Sequence, residues 1–285
     1  MKKVLVTGAN GQLGQCLKEL SVLYSSIEFK FTSSQELDIT NKKNIELFFT
    51  NSVYDYCINC AAYTAVDVAE TDQEKAKAVN VHGVENLSEV CKANNTTLLH
   101  VSTDFVFDGN KNSPYAEEDD INPLSVYGQT KLDGEYKIQD VLTRFFIIRT
   151  SWLYSEYGNN FMKTMLRLGK QRTELSVVGD QIGTPTYAKD LAEVLLKIII
   201  DDNQNYGIYH YSNKGEISWY DFAKEIFAIS ANNIKLNKIP SSAYPTPAVR
   251  PAYSVLSKEK IVENLKITIP NWKKSLKQAL GNTKE

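Results

Sequence analysis

Within its first fourteen residues the chain commits to a strand that turns through glycines into a helix. Lys3-Val4-Leu5-Val6-Thr7 is a β-branched and aliphatic run that meets Gly8-Ala9-Asn10-Gly11-Gln12-Leu13-Gly14 directly, and Leu13, Cys16, Leu17 and Leu20 then recur at helical spacing. Such a unit predicts a parallel sheet covered by crossover helices. The turn suits a dinucleotide, because free N–H groups at the helix start face a pyrophosphate and glycine lets the backbone come close to it. The glycines at 8, 11 and 14 are spaced Gly-x-x-Gly-x-x-Gly. A glycine turn that holds no ligand is the competing reading.

The alternation continues. Ile27–Phe31 reads as a second strand, ending at Thr32, Ser33 and Ser34, where a carboxylate would normally bind the ribose 2′-hydroxyl of NAD. With hydroxyls in place of an acid, this end leans toward NADP(H), although no arginine stands near to clamp a 2′-phosphate. Asp38 either caps the amphipathic stretch around Ile45, Phe48 and Phe49 or meets the adenine. Tyr56 to Ala62 reads as a buried strand, with small alanines where a backbone must lie close to a ligand. A long helix is expected from about Asp72 to Ala93, with Asn80, a poor helix former, inside it. It either bends the helix, binds water or faces solvent.

Leu98 to Asp104 is a further strand ending in Thr103 and Asp104. Ligands of open α/β sheets bind beyond the carboxyl ends of the strands, so both residues are candidates by position. The acidic stretch from Gly109 to Pro123 reads as an exposed loop. Next, Tyr127 and Lys131 stand four apart in Ser125-Val126-Tyr127-Gly128-Gln129-Thr130-Lys131, a spacing that puts both on one helix face. A lysine ammonium beside a phenol favours the phenolate, so the pair is expected to draw Tyr127 from about 10 toward neutrality, where it can exchange a proton. The same spacing also arises on solvated helix faces.

Arg144 to Trp152 gives another strand. The regular alternation then loosens, apart from an apolar helix at about Tyr187–Ile200 and a last sheet strand at Tyr206–Tyr211. These patterns predict a doubly wound α/β fold of Rossmann type. Residues 1–154 and 184–213 form its dinucleotide-binding domain, and residues 155–183 and 214–285 a smaller substrate-binding lobe. In that lobe Arg250-Pro251 is the best candidate for gripping a phosphate or another anion, against the alternative of a surface ion pair.

Composition narrows the function classes. A formal net charge of −2 gives no basic footprint for nucleic acid. No segment reaches the apolar length of a membrane span, and the first apolar run meets glycine too early for a signal peptide, so the cytoplasm is expected. Cys57-Ile58-Asn59-Cys60 lies in a strand pattern, where residues three apart point to opposite faces, and reads as buried structural cysteine rather than a metal site. His82, His100 and His210 are scattered, and no metal ligand set is expected.

Thr7 to Gly14, Cys60-Ala61-Ala62-Tyr63-Thr64-Ala65-Val66-Asp67, Ser102-Thr103-Asp104-Phe105-Val106-Phe107-Asp108-Gly109, Tyr127-Gly128-Gln129-Thr130-Lys131, Arg149-Thr150-Ser151-Trp152 and Arg250-Pro251 resemble, in order, the motifs of extended short-chain dehydrogenases. Among these they are most similar to the family of dTDP-4-dehydrorhamnose reductases. The resemblance implies reduction of the C4 ketone of a dTDP-linked 4-keto-6-deoxy sugar by NADPH, the last step of dTDP-L-rhamnose synthesis. It implies that Tyr127 protonates the sugar oxygen, Thr103 hydrogen-bonds it, and Lys131 holds the nicotinamide ribose and lowers the Tyr127 pKa. Asp104 and Trp152 would contact the sugar nucleotide. Gly8, Gly11, Gln12, Leu13, Gly14, Asp38, Ile39, Ala62, Tyr63 and Thr64 would line the cofactor.

The family relation leaves open NADH as a second hydride source, a magnesium requirement and a homodimer. Phe105 departs from the tyrosine usual after Thr-Asp in this family. Related dehydratases carry Asp-Glu after the threonine, and the missing second carboxyl favours reduction over dehydration. Two alternatives remain: reduction of another nucleotide-linked 4-keto sugar, and a non-catalytic nucleotide-binding subunit like the regulatory partner of methionine adenosyltransferase.

Overall fold

A computed structural model of the chain describes residues 1–283; positions 284 and 285 of the expected lobe lie outside the described residues. Six parallel strands form the central sheet: β1 (Lys2–Thr7), β2 (Ile27–Phe31), β3 (Tyr56–Asn59), β4 (Thr97–Thr103), β5 (Phe145–Thr150) and β6 (Gly207–His210), in the order β6-β5-β4-β3-β1-β2. The order reverses between β1 and β3, whose ends pair Thr7 with Asn59. A crevice opens beyond the carboxyl ends of the strands at such a switch point.

Helices cover both faces, as short parallel crossovers require. One face carries α1 (Gln12–Ser21) and α6 (Ala188–Ile200); the other carries α2 (Lys42–Asn51), α3 (Gly83–Ala93) and α4 (Val126–Val141). The expected Leu13, Cys16, Leu17 and Leu20 stripe is buried on Val4, Val6 and Ile58. Burying side chains of this size contributes about 1.5–3 kcal/mol each. A separate cluster joins Met162 and Met165 of α5 (Phe161–Gln171), Phe222 and Ile226 of α7 (Trp219–Ile229), and Trp272 and Leu276 of α8 (Trp272–Asn282). Beside it the strands Glu174–Val178 and Lys235–Ile239 pair in parallel.

Several local readings are corrected. The long helix at 72–93 is interrupted by a π turn at Ala78–His82, and Asn80 neither faces solvent nor idles there. It is buried, accepts from the Tyr63 N–H at 2.9 Å and donates to the Tyr63 carbonyl at 3.1 Å and the Thr130 hydroxyl at 3.2 Å. An amide that offers both a donor and an acceptor can clamp a loop backbone in this way. Asp38 does not cap α2; the Asn41 side chain does, accepting from Asn44 N. The acidic loop is partly internal, because the buried Glu117 accepts from the His210 N–H at 2.7 Å. β3 ends at Asn59, which leaves Cys60 to Ala62 as loop beside the crevice.

Candidate active site

The crevice is a cavity of about 650 Å³, walled by the glycine turn, the ends of β3, β4 and β5, the start of α4 and the second lobe. Gly8 has φ of +65°, and a Cβ there would lie 2.6 Å from Ala61 N, so the close approach of turn and β3 loop requires glycine. Helix α1 begins at Gln12 with no side chain capping it and no acid in its first turn. Its free N–H groups and partial positive charge suit a pyrophosphate, so the residues fit the expected dinucleotide.

Of the residues expected to line a cofactor, Gly11, Gln12, Leu13, Gly14, Ala62 and Thr64 line the cavity. The Gln12 side-chain Oε1 already accepts from Ser155 and Asn160, tying the turn to the second lobe. Gly8 lies beneath the turn, and the Tyr63 backbone is held by Asn80. Asp38 and Ile39 are not brought to the cavity wall: Asp38 is exposed and accepts from the Thr40 backbone and hydroxyl, while the Ile39 side chain is buried against Gly83. The strand-end reading of β2 is also qualified. The sequence places no acid directly at the strand end, yet the Glu36 carboxylate folds back to accept from Ser33 N at 2.8 Å and Ser33 Oγ at 2.9 Å.

Thr103, Asp104, Tyr127, Lys131, Trp152 and Arg250 all reach the same cavity. Ser125 caps α4 by accepting from Gly128 N. A Cβ at Gly128 would lie 2.3 Å from the Phe105 carbonyl oxygen, so glycine there lets α4 lie against the turn that follows Thr103. That approach sets Tyr127 edge-on to Phe105 at 5.6 Å between ring centroids. The Thr103 hydroxyl donates to Asp104 Oδ1 at 3.1 Å and accepts from Phe105 N.

The electrostatics differ from the expected Tyr127–Lys131 pairing. Burial pushes the Tyr127 phenol up to about 12, opposed by a contact with the Thr103 hydroxyl. Lys131 does not pull it down. The residue is 2 % exposed, its Nζ lies 2.7 Å from the Val101 carbonyl and 3.0 Å from His100 Nε2, and burial lowers its pKa to about 8. In this conformation desolvation governs both groups. Asp104 is pushed up to about 6 by burial, and its Oδ2 has no hydrogen-bond partner among the described residues, although Ser254 lies near enough to oppose the shift. Arg250 sits at the cavity but is clamped by Asp67 through bonds of 3.0 and 2.7 Å, so its expected anion grip starts from an existing ion pair.

Sequence reasoning missed Trp219, which lines the cavity and stacks on Trp152. A tryptophan opening a helix in the weakly patterned tail was the only available signal. Asn59 and His100 were also missed; both are buried directly behind Lys131. Among the described residues no group of three or more His, Cys, Asp or Glu side chains stands together as a metal site, and no helix is long and apolar enough to cross a membrane.

A parallel sheet with its switch point at a glycine turn, and a threonine, tyrosine and lysine converging on one crevice, define an extended short-chain dehydrogenase/reductase. The family described as the RmlD substrate binding domain matches residues 1–285. A dTDP-4-dehydrorhamnose reductase of Aggregatibacter actinomycetemcomitans is 45% identical over 97% of this chain and 98% of its own. Two solved dTDP-4-dehydrorhamnose reductases superpose closely. The one from Clostridium acetobutylicum has a TM-score of 0.94 and 42% identity over 98% of each chain. The one from Bacillus anthracis, in complex with NADP, has a TM-score of 0.96 and 38% identity over 99% of this chain and 100% of its own. The chain belongs to the dTDP-4-dehydrorhamnose reductase family.

Proposed function

We propose that this chain reduces the C4 ketone of dTDP-4-dehydro-β-L-rhamnose to dTDP-β-L-rhamnose with NADPH, the last step of dTDP-rhamnose synthesis. The observation that carries the reading is the convergence of Thr103, Tyr127 and Lys131 on the crevice beyond β4, beside a helix N-terminus able to hold a pyrophosphate. Bound reduced nicotinamide supplies the hydride. Residues 1–154 and 184–213 hold the dinucleotide, and residues 155–183 and 214–285 form the sugar-nucleotide lobe.

Tyr127 donates the proton to the C4 oxygen. With its pKa up at about 12, the phenol is protonated throughout the physiological range and is therefore always charged with the proton it must give. Thr103 orients the reacting oxygen through its hydroxyl, and Lys131 stabilises the phenolate left behind. Asp104, Trp152 and Arg250 contact the sugar nucleotide, which requires Arg250 to share or leave Asp67. Phe105 supplies a ring edge where the family's tyrosine would add a hydroxyl, and leaves the site without the second carboxyl that dehydration needs.

Purified protein given NADPH and the dTDP-4-keto-6-deoxy sugar is expected to oxidise NADPH only when both are present. Tyr127→Phe is expected to bind NADPH normally and turn over at least a hundredfold more slowly, on the order of the usual general-acid contribution. Full activity in that variant would remove Tyr127 from the role. Faster turnover of a UDP- or GDP-linked 4-keto sugar would reassign the substrate.

A further inference from the structure

Behind Lys131 runs a buried chain of polar side chains whose donors and acceptors can be assigned one by one. Thr7 Oγ1 lies 2.6 Å from Asn59 Oδ1, and Ala61 N donates to the same oxygen at 3.1 Å. A backbone N–H can only donate, so the side of the Asn59 amide facing it is the oxygen, and Asn59 Nδ2 is left to face His100 Nδ1 at 3.0 Å. That contact makes Nδ1 the acceptor nitrogen. His100 is fully buried, and burial above all holds its pKa well below the ordinary histidine value, so the ring is neutral. Its one N–H is therefore on Nε2.

His100 Nε2 lies 3.0 Å from Lys131 Nζ, which also lies 2.7 Å from the Val101 carbonyl. An ammonium carries three hydrogens and no lone pair and cannot accept from Nε2–H. A free amine can accept from it while donating to Val101. We propose that His100 is a positioning residue for Lys131: fixed in its Nε2–H tautomer by Asn59, it shifts Lys131 toward the free amine and holds it turned toward β4 in this conformation. This deepens the role proposed for Lys131 above and rests on it.

The other groups around Lys131 are consistent with that state. On its own helix, Glu135 favours the charged lysine but is itself committed to Arg149 of β5 and to Ser102 of β4. Tyr127, one turn earlier, is a neutral phenol. The nearby end of β4 carries Asp104, and the loop after β3 carries Cys60, whose thiol is kept neutral by burial with its pKa raised to about 12. When Lys131 turns away from His100 toward Tyr127, its amine fraction takes up a proton from bulk solvent through the open crevice, so the cation stands beside the phenolate that needs it. His100 thereby biases the resting charge of the lysine without touching substrate.

The test uses the full chain labelled with 15N in its histidine rings and 13C at lysine Cε, with Lys131→Arg to assign the Lys131 signal. The expected spectrum shows His100 protonated at Nε2 and bare at Nδ1, and Lys131 titrating at least tenfold more acidic than an ordinary lysine. In Asn59→Asp the carboxylate still accepts from Thr7 and Ala61 but now also accepts from Nδ1–H. His100 should switch tautomer, and the Lys131 midpoint should rise by at least one pH unit. His100→Gln, whose amide oxygen can accept from an ammonium, should raise it likewise and serves if Asn59→Asp does not fold. His100 protonated at Nδ1 in the unaltered chain, or a Lys131 midpoint unmoved in the folded variant, would overturn the proposal. No turnover is measured, so a wrong substrate assignment leaves this result standing, and a failure here leaves the reductase reading standing.

Discussion

Trp152 and Trp219 stack with ring centroids 3.5 Å apart and planes 10° from parallel, joining the end of β5 to the first turn of α7 across the crevice. The Trp152 backbone has φ of +47°, a left-handed conformation that costs a bulky residue on the order of 1–3 kcal/mol. An aromatic stack contributes about 0.5–1.5 kcal/mol beyond burial, enough to offset part of that strain. Trp219→Ala is therefore expected to loosen Trp152 and raise the KM for the sugar nucleotide about tenfold, with a smaller change in kcat and none in the dissociation constant for NADPH. Steady-state kinetics with a parallel NADPH titration check this split. An unchanged KM would mean that the pair supports the fold and not the substrate.

Asp104 makes stability depend on pH in an unusual direction. Its folded pKa, raised to about 6 by burial, lies above that of an ordinary aspartate. Below about pH 4 the carboxyl is protonated in both folded and unfolded chains and contributes nothing. Between about 4 and 6 the unfolded chain ionises first, so stability falls, and above 6 the penalty is complete, at about 2–3 kcal/mol. Asp104→Asn should therefore be more stable than the unaltered chain at pH 7, with the gain vanishing at pH 4. Urea midpoints at the two pH values decide it, and equal gains at both would show that the ionised carboxylate is not the cause.

Glu135 and Arg149 form an ion pair with side chains 0% and 1% exposed. Removing one partner leaves the other charge buried, which costs about 3–5 kcal/mol. Glu135→Gln should lower the unfolding free energy read from urea titration by that amount, and adding Arg149→Met should recover a large part of the loss. If the double variant instead shows the sum of the two single losses, the charges are not coupled.

Most of the sheet could be read from sequence because each strand is a short apolar run bounded by turn residues, and β2 matches its expected limits to the residue. Thr103, Asp104, Tyr127 and Lys131 were legible by position, since strand ends and a shared helix face are one-dimensional facts. What escaped needed three dimensions. The rise in the Tyr127 pKa follows from how deeply α4 is packed, and no spacing encodes that. Lys131 turns toward His100 and Val101 because β4 runs beneath it. Asn80 was visible as an anomaly inside a helix, but its partner, the Tyr63 backbone, lies 17 residues away in the chain. The Arg250–Asp67 pair spans 183 residues.

Glu36 gives the nucleotide preference a physical handle. Its carboxylate accepts from both the backbone N–H and the hydroxyl of Ser33, which together hold it below the usual carboxylate range. Ser33 follows Thr32, whose carbonyl accepts from Ala9 N in the glycine turn, so this acid is tied through one residue to the turn expected to hold the dinucleotide. A ribose 2′-hydroxyl can donate to such a carboxylate, whereas a 2′-phosphate is repelled by it and competes for the same Ser33 donors. Glu36→Gln is thus expected to improve NADPH binding relative to NADH by about three- to tenfold, and less at high salt because the site is exposed and screened. Fluorescence titrations with both nucleotides at low and high ionic strength read this ratio directly. A ratio unmoved at low salt would show that the 2′ position lies beyond the reach of Glu36.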